Sequence, residues 1–304
     1  MGAGAQSARG DRGPGDRRRR ADRRPNSDGC RKTLGEMMQE LSGRVVLGLA
    51  GFSMTPRDRS ADLATVRAGI EAGATILDTA RAYAQADNPL YGEELAAEAA
   101  AGTDVIVGTK GGHSRINADT WDADISATRI RNDVESSLRV FGREQLDLFY
   151  LHRVDLAEQP VEEGVTALAA LRDEGKLARI GLSNVTVAEL DRASAITRVD
   201  AVQNRHTAMG READDVVAWC EANEVPFFAY SPLRSSSPAP RLAAVAAERG
   251  VSLQRLQLAA LLHSSPVVSV ISGATRPQTA LDSVAAEREP WSSELQTAYE
   301  ADLA

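Results

Sequence analysis

The sequence predicts an α/β protein built as a single (β/α)8 barrel, the TIM-barrel architecture. Short apolar, β-branched segments alternate with longer segments of helical period from residue 44 onward, which is typical of parallel strands connected by helices. Eight such units fit in roughly 250 residues, the usual length of this barrel. An open nucleotide-binding sheet would instead carry GxGxxG after its first strand, and GLAGFSMT at 48–55 does not supply it.

The predicted strands are continuous apolar runs, the pattern of strands that are buried on both faces of a parallel sheet. In chain order they span residues 44–49, 74–79, 104–110, 146–152, 177–183, 199–204, 225–230 and 267–272.

Most of the predicted helices carry apolar residues at i, i+3, i+4 and i+7. Four of them are followed by glycine, the residue that a helix C-cap favours: Gly73, Gly102, Gly142 and Gly175. The helices span residues 60–73, 91–102, 126–142, 161–175, 187–196, 211–223 and 252–263, and an extra helix at 238–250 follows the seventh strand.

The N-terminal segment differs in composition from the rest of the chain. Residues 1–32 hold nine Arg and one Lys against four Asp, with few apolar residues, so they cannot bury a core. We expect residues 1–40 to form a disordered Arg- and Gly-rich extension ahead of a barrel domain at 41–304. A basic arm for nucleic acid or an anionic surface is the alternative. An export signal would require an apolar segment after the arginines, and the sequence has none there.

Bulk composition excludes several function classes. The net charge of −8 at pH 7, despite the basic N-terminal segment, argues against nucleic acid as a partner. The sequence has no run of about 18 apolar residues, so it predicts no membrane span. Cys30 and Cys220 form no disulfide framework, which favours a cytoplasmic protein. The four histidines show no metal-binding spacing, so we expect no metal site.

Polar residues recur where the predicted strands end, and in a (β/α)8 barrel this end carries the active site. Strands two, three and four end at Asp78, Lys110 and His152. Singly, each has an ordinary explanation: the Asp caps a turn, the Lys is solvated and the His packs in the core. Together, on consecutive strands, they indicate one pocket.

The motifs that carry these residues resemble the aldo-keto reductase family. The matching segments are LDTARAY at 77–83, VGTK at 107–110 and FYLHRVD at 149–155, followed in the family's order by GLSN, VQN, AYSPL and ISGATRPQ. The resemblance covers about residues 44–285. It implies a reductase that transfers a hydride from NAD(P)H to an aldehyde or ketone.

The resemblance implies a catalytic tetrad of Asp78, Tyr83, Lys110 and His152. Tyr83 would donate the proton, and the Lys110 ammonium would lower its pKa from the ordinary value of about 10. Asp78 would hold Lys110 by an ion pair, and His152 would position the substrate oxygen. Tyr91 is a rival phenol, but its place at the start of a helix favours a packing or capping role.

The resemblance also implies NADPH as the cofactor, with NADH less favoured. Arg276 would pair with the 2′-phosphate, because a guanidinium binds phosphate through two parallel hydrogen bonds. Tyr230 would stack on the nicotinamide ring. The side chains of Ser183, Asn184 and Gln203 would hydrogen-bond to its carboxamide. The assigned cofactor residues are Ser183, Asn184, Gln203, Tyr230, Ser231, Leu233, Gly273 and Arg276.

Two functions remain open from the sequence. The first is an NADP-dependent reductase of a small-molecule carbonyl, with loop 111–124 shaping the pocket through His113 and Trp121. The alternative is an NADPH-binding barrel that acts as a regulatory or redox-sensing subunit. The complete tetrad favours the enzyme, because a protein that only binds the cofactor has no need of Tyr83.

Overall fold

The structure, a computed structural model, describes residues 1–2, 44–53, 57–117, 120–235 and 237–303. Apart from Met1 and Gly2, the predicted extension at 1–40 lies outside the described residues, and so does Cys30. From Arg44 onward the chain follows the predicted alternation of strands and helices.

Ten strands are present in the described part of the chain. In chain order they are β1 (Val45–Gly48), β2 (Ile76–Asp78), β3 (Ile106–Gly111), β4 (His113–Arg115), β5 (Trp121–Ala123), β6 (Leu148–Leu151), β7 (Ile180–Ser183), β8 (Ala201–Arg205), β9 (Phe227–Tyr230) and β10 (Val268–Ser272).

Eight of these strands close into a barrel in which every neighbouring pair is parallel. Their order around the barrel is their order along the chain, and β10 pairs with β1. The predicted (β/α)8 barrel is therefore confirmed, and all eight carboxyl ends meet at one face. The short strands β4 and β5 form a separate antiparallel hairpin.

The helices lie between the strands and after the last one. They are α1 (Ala50–Ser53), α2 (Arg59–Glu71), α3 (Tyr91–Ala100), α4 (Ala127–Phe141), α5 (Val161–Asp173), α6 (Val187–Ser194), α7 (Asp214–Asn223), α8 (Pro240–Arg249), α9 (Leu253–Ser264), α10 (Pro277–Ala285) and α11 (Ser293–Leu303). Short 3-10 turns span Val154–Leu156 and Ala286–Arg288.

Local sequence signals set the ends of α4. The Ser126 side chain accepts a hydrogen bond from the backbone N–H of Arg129, which satisfies a free donor of the first turn. Gly142 ends the helix with a φ of 59°, a left-handed conformation that glycine adopts without a Cβ clash.

The core has two layers, as an all-parallel barrel requires. The main layer lies between the strands and the helices. A smaller layer fills the barrel, where Tyr150 packs closely against β7. A Cβ atom at Gly181 would lie 2.2 Å from a carbon of the Tyr150 ring, so only glycine leaves room for it. The interior residues are Val46, Ile76, Leu148, Tyr150, Ala201, Phe228 and Ile271.

Arg44 stabilises the seam where the first and last strands meet. Its Nε donates to the carbonyl oxygen of Val268 at 3.0 Å, and its Nη2 donates to that of Ser265 at 2.7 Å. Nη2 also contacts the carbonyl oxygen of Leu262 at the end of α9. One guanidinium thus binds three carbonyl groups at this seam.

Among the elements that lie outside the predicted spans are the hairpin β4–β5, the short helix α1 and the C-terminal helix α11. The hairpin β4–β5 occupies the segment expected to be a loop, because its strands have three residues each, too few to show an alternating pattern. The helix α11 follows the last predicted element and packs against α8 through Leu295, Ala298 and Tyr299. No helix in the described part of the chain is long and apolar enough to span a bilayer.

Candidate active site

Lys110 connects the predicted catalytic residues at the carboxyl ends of β2 and β3. Its Nζ donates to Asp78 Oδ2 at 2.7 Å, to the carbonyl oxygen of Thr79 at 2.8 Å and to the phenol oxygen of Tyr83 at 3.2 Å. The Lys110 side chain is fully buried, so these three acceptors replace the water that an ammonium needs. Asp78, Tyr83 and Lys110 therefore form one hydrogen-bonded group.

Strand register explains why Asp78 and Lys110 meet. Asp78 is the last residue of β2 and lies opposite Gly108 of the neighbouring strand β3. Side chains alternate between the two faces of a strand, so Lys110 lies on the same face as residue 108 and two positions beyond it. The ion pair follows from this parallel pairing.

The start of α3 holds Tyr83 in place. The backbone N–H of Gly92 donates to the carbonyl oxygen of Tyr83 at 2.9 Å. A Cβ atom at Gly92 would lie 2.7 Å from Tyr83 Cβ and 2.8 Å from its carbonyl oxygen. Any larger residue would displace the tyrosine or the helix, so the close approach depends on glycine.

A buried carboxylate anchors the loop between Asp78 and Tyr83. Glu93 accepts hydrogen bonds from the hydroxyls of Thr109 at 2.7 Å and Ser137 at 2.6 Å. It also pairs with Arg81 of the loop at 2.9 Å. Because these partners lie on β3 and α4, Glu93 joins the catalytic loop to the adjoining elements.

Burial and charge act in opposite directions on Tyr83. Burial raises the pKa of Tyr83 most, the Lys110 ammonium lowers it, and the net direction is upward. Burial alone would lower the pKa of Lys110, but Asp78 and then Tyr83 outweigh it and raise that pKa. Lys110 therefore stays charged and Tyr83 stays protonated near pH 7. Lys110 lowers the pKa of Tyr83, as the sequence predicts, but burial outweighs it and the net change in that pKa is upward.

His152 follows β6 and adjoins Tyr83. The two ring centroids are 5.8 Å apart, and the ring planes are nearly perpendicular at 80°. Burial, followed by the charge of Lys110, holds the pKa of His152 well below its ordinary value, so the imidazole is neutral at pH 7. Its buried Nδ1 has no hydrogen-bond partner among the residues described.

The hairpin β4–β5 adds a second histidine and an indole beside His152. The rings of His113 and Trp121 stack at 5.0 Å with an interplanar angle of 11°. The His113 ring meets His152 edge-on at 5.1 Å. The Asp122 carbonyl oxygen accepts a hydrogen bond from His113 Nδ1 at 2.8 Å. His113 and Trp121 of the hairpin thus form a wall next to the tetrad.

Side chains assigned to the nicotinamide are hydrogen-bonded to the tetrad. Gln203 Nε2 donates to Asp78 Oδ1 at 2.9 Å. Asn184 Nδ2 donates to the carbonyl oxygen of His152 at 2.9 Å, and its Oδ1 accepts from the Tyr230 hydroxyl at 2.6 Å. Sequence reasoning missed these bonds, because they join strands that are distant along the chain.

Strained backbone follows two of the strands at this face. Asn184 after β7 and Ser231 after β9 have φ values of 58° and 54°. Non-glycine residues in this region persist only where neighbouring groups fix them, and they cluster at binding sites. Ser183 is buried beside Asn184, and Leu233 packs partly against the main core.

Gly273 and Arg276 lie in the loop between β10 and α10, and they make no hydrogen bond to the tetrad within the described residues. A Cβ atom at Gly273 would meet no atom within 4 Å. Arg276 is the N-cap residue of α10 and is exposed. A helix N-terminus beside a guanidinium suits an anion. This loop therefore offers the space and the charge that a phosphate requires.

The rival phenol, Tyr91, does not contact Lys110. It is the first residue of α3, and its hydroxyl donates to Asp62 Oδ2 at 2.7 Å. Burial, with help from Asp62, raises the pKa of Tyr91 to about 12. Tyr91 thus has the packing role that its place at a helix start predicts. Asp62 itself was missed, since an acidic residue in a predicted helix is ordinarily solvated.

Known proteins resemble this chain over most of its length. The profile of the Aldo/keto reductase family matches residues 44–239. An uncharacterized oxidoreductase of Schizosaccharomyces pombe is 30% identical over 268 residues, covering 86% of this chain and 86% of that protein. Pyridoxine 4-dehydrogenase of Escherichia coli is 30% identical over 279 residues, covering 86% of this chain and 94% of that protein.

A solved structure agrees with these matches. An aldo/keto reductase from Klebsiella pneumoniae, in complex with NADP and acetate, is 25% identical with a TM-score of 0.71. The match covers 85% of this chain and 90% of the Klebsiella chain. The family profile spans more than half of the sequence, and the closed parallel barrel is the fold that the sequence predicts. The chain therefore belongs to the aldo/keto reductase family and is an oxidoreductase.

Proposed function

We propose that this protein reduces an aldehyde or ketone to the alcohol with NADPH, and that Tyr83 donates the proton. The observation that carries the proposal is the position of the Lys110 ammonium, within hydrogen-bond distance of both Asp78 and the Tyr83 phenol. A structural ion pair would need only Asp78. The further contact with the half-buried Tyr83 phenol is what an acid catalyst requires.

The residues of the tetrad divide the work. NADPH would supply the hydride for the carbonyl carbon. The protonated Tyr83 gives its proton to the carbonyl oxygen, and the Lys110 charge stabilises the phenolate that remains. Asp78, held in turn by Gln203, keeps Lys110 charged and in place. Neutral His152 donates a hydrogen bond to the same oxygen and stabilises its developing charge.

Several features support NADPH as the cofactor. The open space at Gly273 and the exposed Arg276 at a helix N-terminus suit a phosphate group. The strained residues Asn184 and Ser231 follow β7 and β9 at the same face of the barrel. The Klebsiella pneumoniae relative was solved with NADP. We therefore assign Ser183, Gln203, Tyr230 and Leu233 to the same cofactor site, as the sequence predicts.

The proposal is tested by mixing the purified protein with NADPH and a panel of carbonyl compounds. Because the Escherichia coli relative is a pyridoxine 4-dehydrogenase, the panel includes pyridoxal beside simple aromatic and aliphatic aldehydes. We expect loss of the NADPH absorbance with at least one carbonyl, and formation of the alcohol in equal amount. NADPH binding without turnover on any carbonyl would favour the regulatory alternative, and no binding would contradict both.

A further inference from the structure

A buried carboxylate on α2 fixes the position of Arg57. Asp62 is completely buried, and its Oδ1 accepts a hydrogen bond from Arg57 Nε at 2.7 Å. Its Oδ2 accepts from the Tyr91 hydroxyl at 2.7 Å. A buried carboxylate with both oxygens bound is a rigid anchor. Arg57 is thus held at a defined place, although its side chain remains 28% exposed.

Arg57 also contacts the loop that carries Arg276. Its Nη2 donates to the carbonyl oxygen of Thr275 at 3.1 Å. The peptide unit between Thr275 and Arg276 is planar and trans, so its N–H points away from its carbonyl oxygen. By holding that carbonyl, Arg57 directs the N–H of Arg276 to the opposite side of the loop.

A close backbone contact supports this arrangement. A Cβ atom at Gly51 in α1 would lie 2.9 Å from the Thr275 methyl carbon and 3.6 Å from the carbonyl oxygen of Gly273. The segment after β1 therefore packs directly on the loop after β10. Within the described part of that segment, Arg57 reaches the loop with a charged group.

We propose that Arg57 is a positioning residue for cofactor selectivity. Held by Asp62, it fixes the Thr275–Arg276 peptide so that Arg276 and the start of α10 are ready for the 2′-phosphate of NADPH. The inference rests on the proposed NADPH function and deepens it. The guanidinium suits this role, because its five donors allow it to bind Asp62 and Thr275 at the same time.

The test compares NADPH and NADH affinity in matched variants. Arg57→Lys keeps a charge beside Asp62 but cannot bridge it to Thr275 with a rigid fork. Arg57→Gln in an Asp62→Asn background removes both charges, so no unpaired buried carboxylate remains. Arg67→Gln is the control: Arg67 is an exposed residue of α2, and its Nη2 donates to the carbonyl oxygen of Glu98 at 3.4 Å.

Dissociation constants are measured by tryptophan fluorescence on the purified proteins, together with melting temperatures. We expect the ratio of the NADH constant to the NADPH constant to fall roughly tenfold in the double variant. Arg57→Lys should lie between the double variant and the wild type, and Arg67→Gln should match the wild type. A purely structural role would lower the melting temperature and leave the ratio unchanged.

The outcomes separate the two proposals. An unchanged ratio in both Arg57 variants, with NADPH still bound, would overturn the role of Arg57 and leave the proposed function intact. Equal loss in Arg67→Gln would also overturn it, because the loss of any positive charge near α2 would then have the same effect. A wild-type protein that does not prefer NADPH over NADH would remove the basis of both.

Discussion

At the residue scale, Lys110 places a buried charge at the centre of the proposed site. Its ammonium is fully buried, and a buried charge is costly unless its partners are complete. Asp78 and the carbonyl oxygen of Thr79 provide two acceptors, and the Tyr83 phenol provides the third. The same contact that satisfies the lysine also links it to the proposed acid.

Replacing Lys110 with Met should move the alkaline limb of the pH–rate profile. Burial raises the pKa of Tyr83, and Lys110 lowers it, so its loss should raise that pKa further. Reduction needs the protonated phenol, so activity declines as pH rises through this pKa. In the variant the decline should shift to higher pH or disappear, and kcat/KM at pH 7 should fall roughly 100-fold or more.

A second variant controls for the carboxylate that Lys110→Met leaves behind. In Lys110→Met with Asp78→Asn, no unpaired buried charge remains. The pH–rate profile should again lack the wild-type alkaline limb. An unchanged limb in both proteins would show that Tyr83 does not titrate under the influence of Lys110.

The sequence predicts which residues meet at this site but not all of their contacts. Asp78, Lys110 and His152 end consecutive strands, so barrel geometry alone brings them together. Gln203 is an example of a contact that the sequence does not predict. Its motif suggests a cofactor contact, and in the structure its Nε2 also donates to Asp78 across the barrel. Such a bond depends on side-chain rotamers and on the barrel diameter, which no local pattern encodes.

At the scale of elements, the hairpin β4–β5 is fixed by one arginine of α4. Arg129 donates to Asp122 Oδ2 of β5 at 3.0 Å and contacts the Ser114 hydroxyl of β4. It also donates to Asp133 Oδ2 at 2.9 Å, and the same oxygen accepts from the Gly112 N–H at 2.8 Å. Both strands of the hairpin are therefore tied to one helix.

Arg129→Met should loosen the wall that His113 and Trp121 form beside His152. We expect KM for the carbonyl to rise about fivefold or more, with a smaller change in kcat, because the substrate is less well positioned while the tetrad is intact. The control is Arg131→Met on the same helix, where Arg131 makes an exposed pair with Glu174. Equal effects of both variants would argue against a specific role for the hairpin clamp.

The strength of the periodic signal determined which elements could be predicted. The helix at 126–142 was predicted within a residue of α4, because its apolar positions recur regularly and Ser126 and Gly142 cap it. The segment of α11 carries helical spacing at Leu295, Ala298 and Tyr299, but the pattern is short, and in the structure these residues pack on α8. The three-residue strands of the hairpin depend likewise on their anchor in α4.

At the scale of the whole molecule, one architecture explains why the site lies where it does. Closure of eight parallel strands brings every carboxyl end to one face. The sequence predicts this through its alternating pattern, whereas the closing seam depends on long-range contacts of Arg44 with Val268 and Ser265. The bond from Arg57 to Thr275 crosses the same junction between the start and the end of the barrel.

The most direct measurement is a comparison of wild-type protein with Tyr83→Phe, both saturated with NADPH. The substitution removes one hydroxyl and leaves both the ring beside His152 and the backbone contact with Gly92. We expect the variant to bind NADPH with an affinity close to that of the wild type and to lose reduction of any carbonyl that the wild type reduces, by roughly 1,000-fold. A Tyr83→Phe protein that still reduces the carbonyl at the wild-type rate would contradict the assignment of Tyr83 as the proton donor, and with it the proposed mechanism.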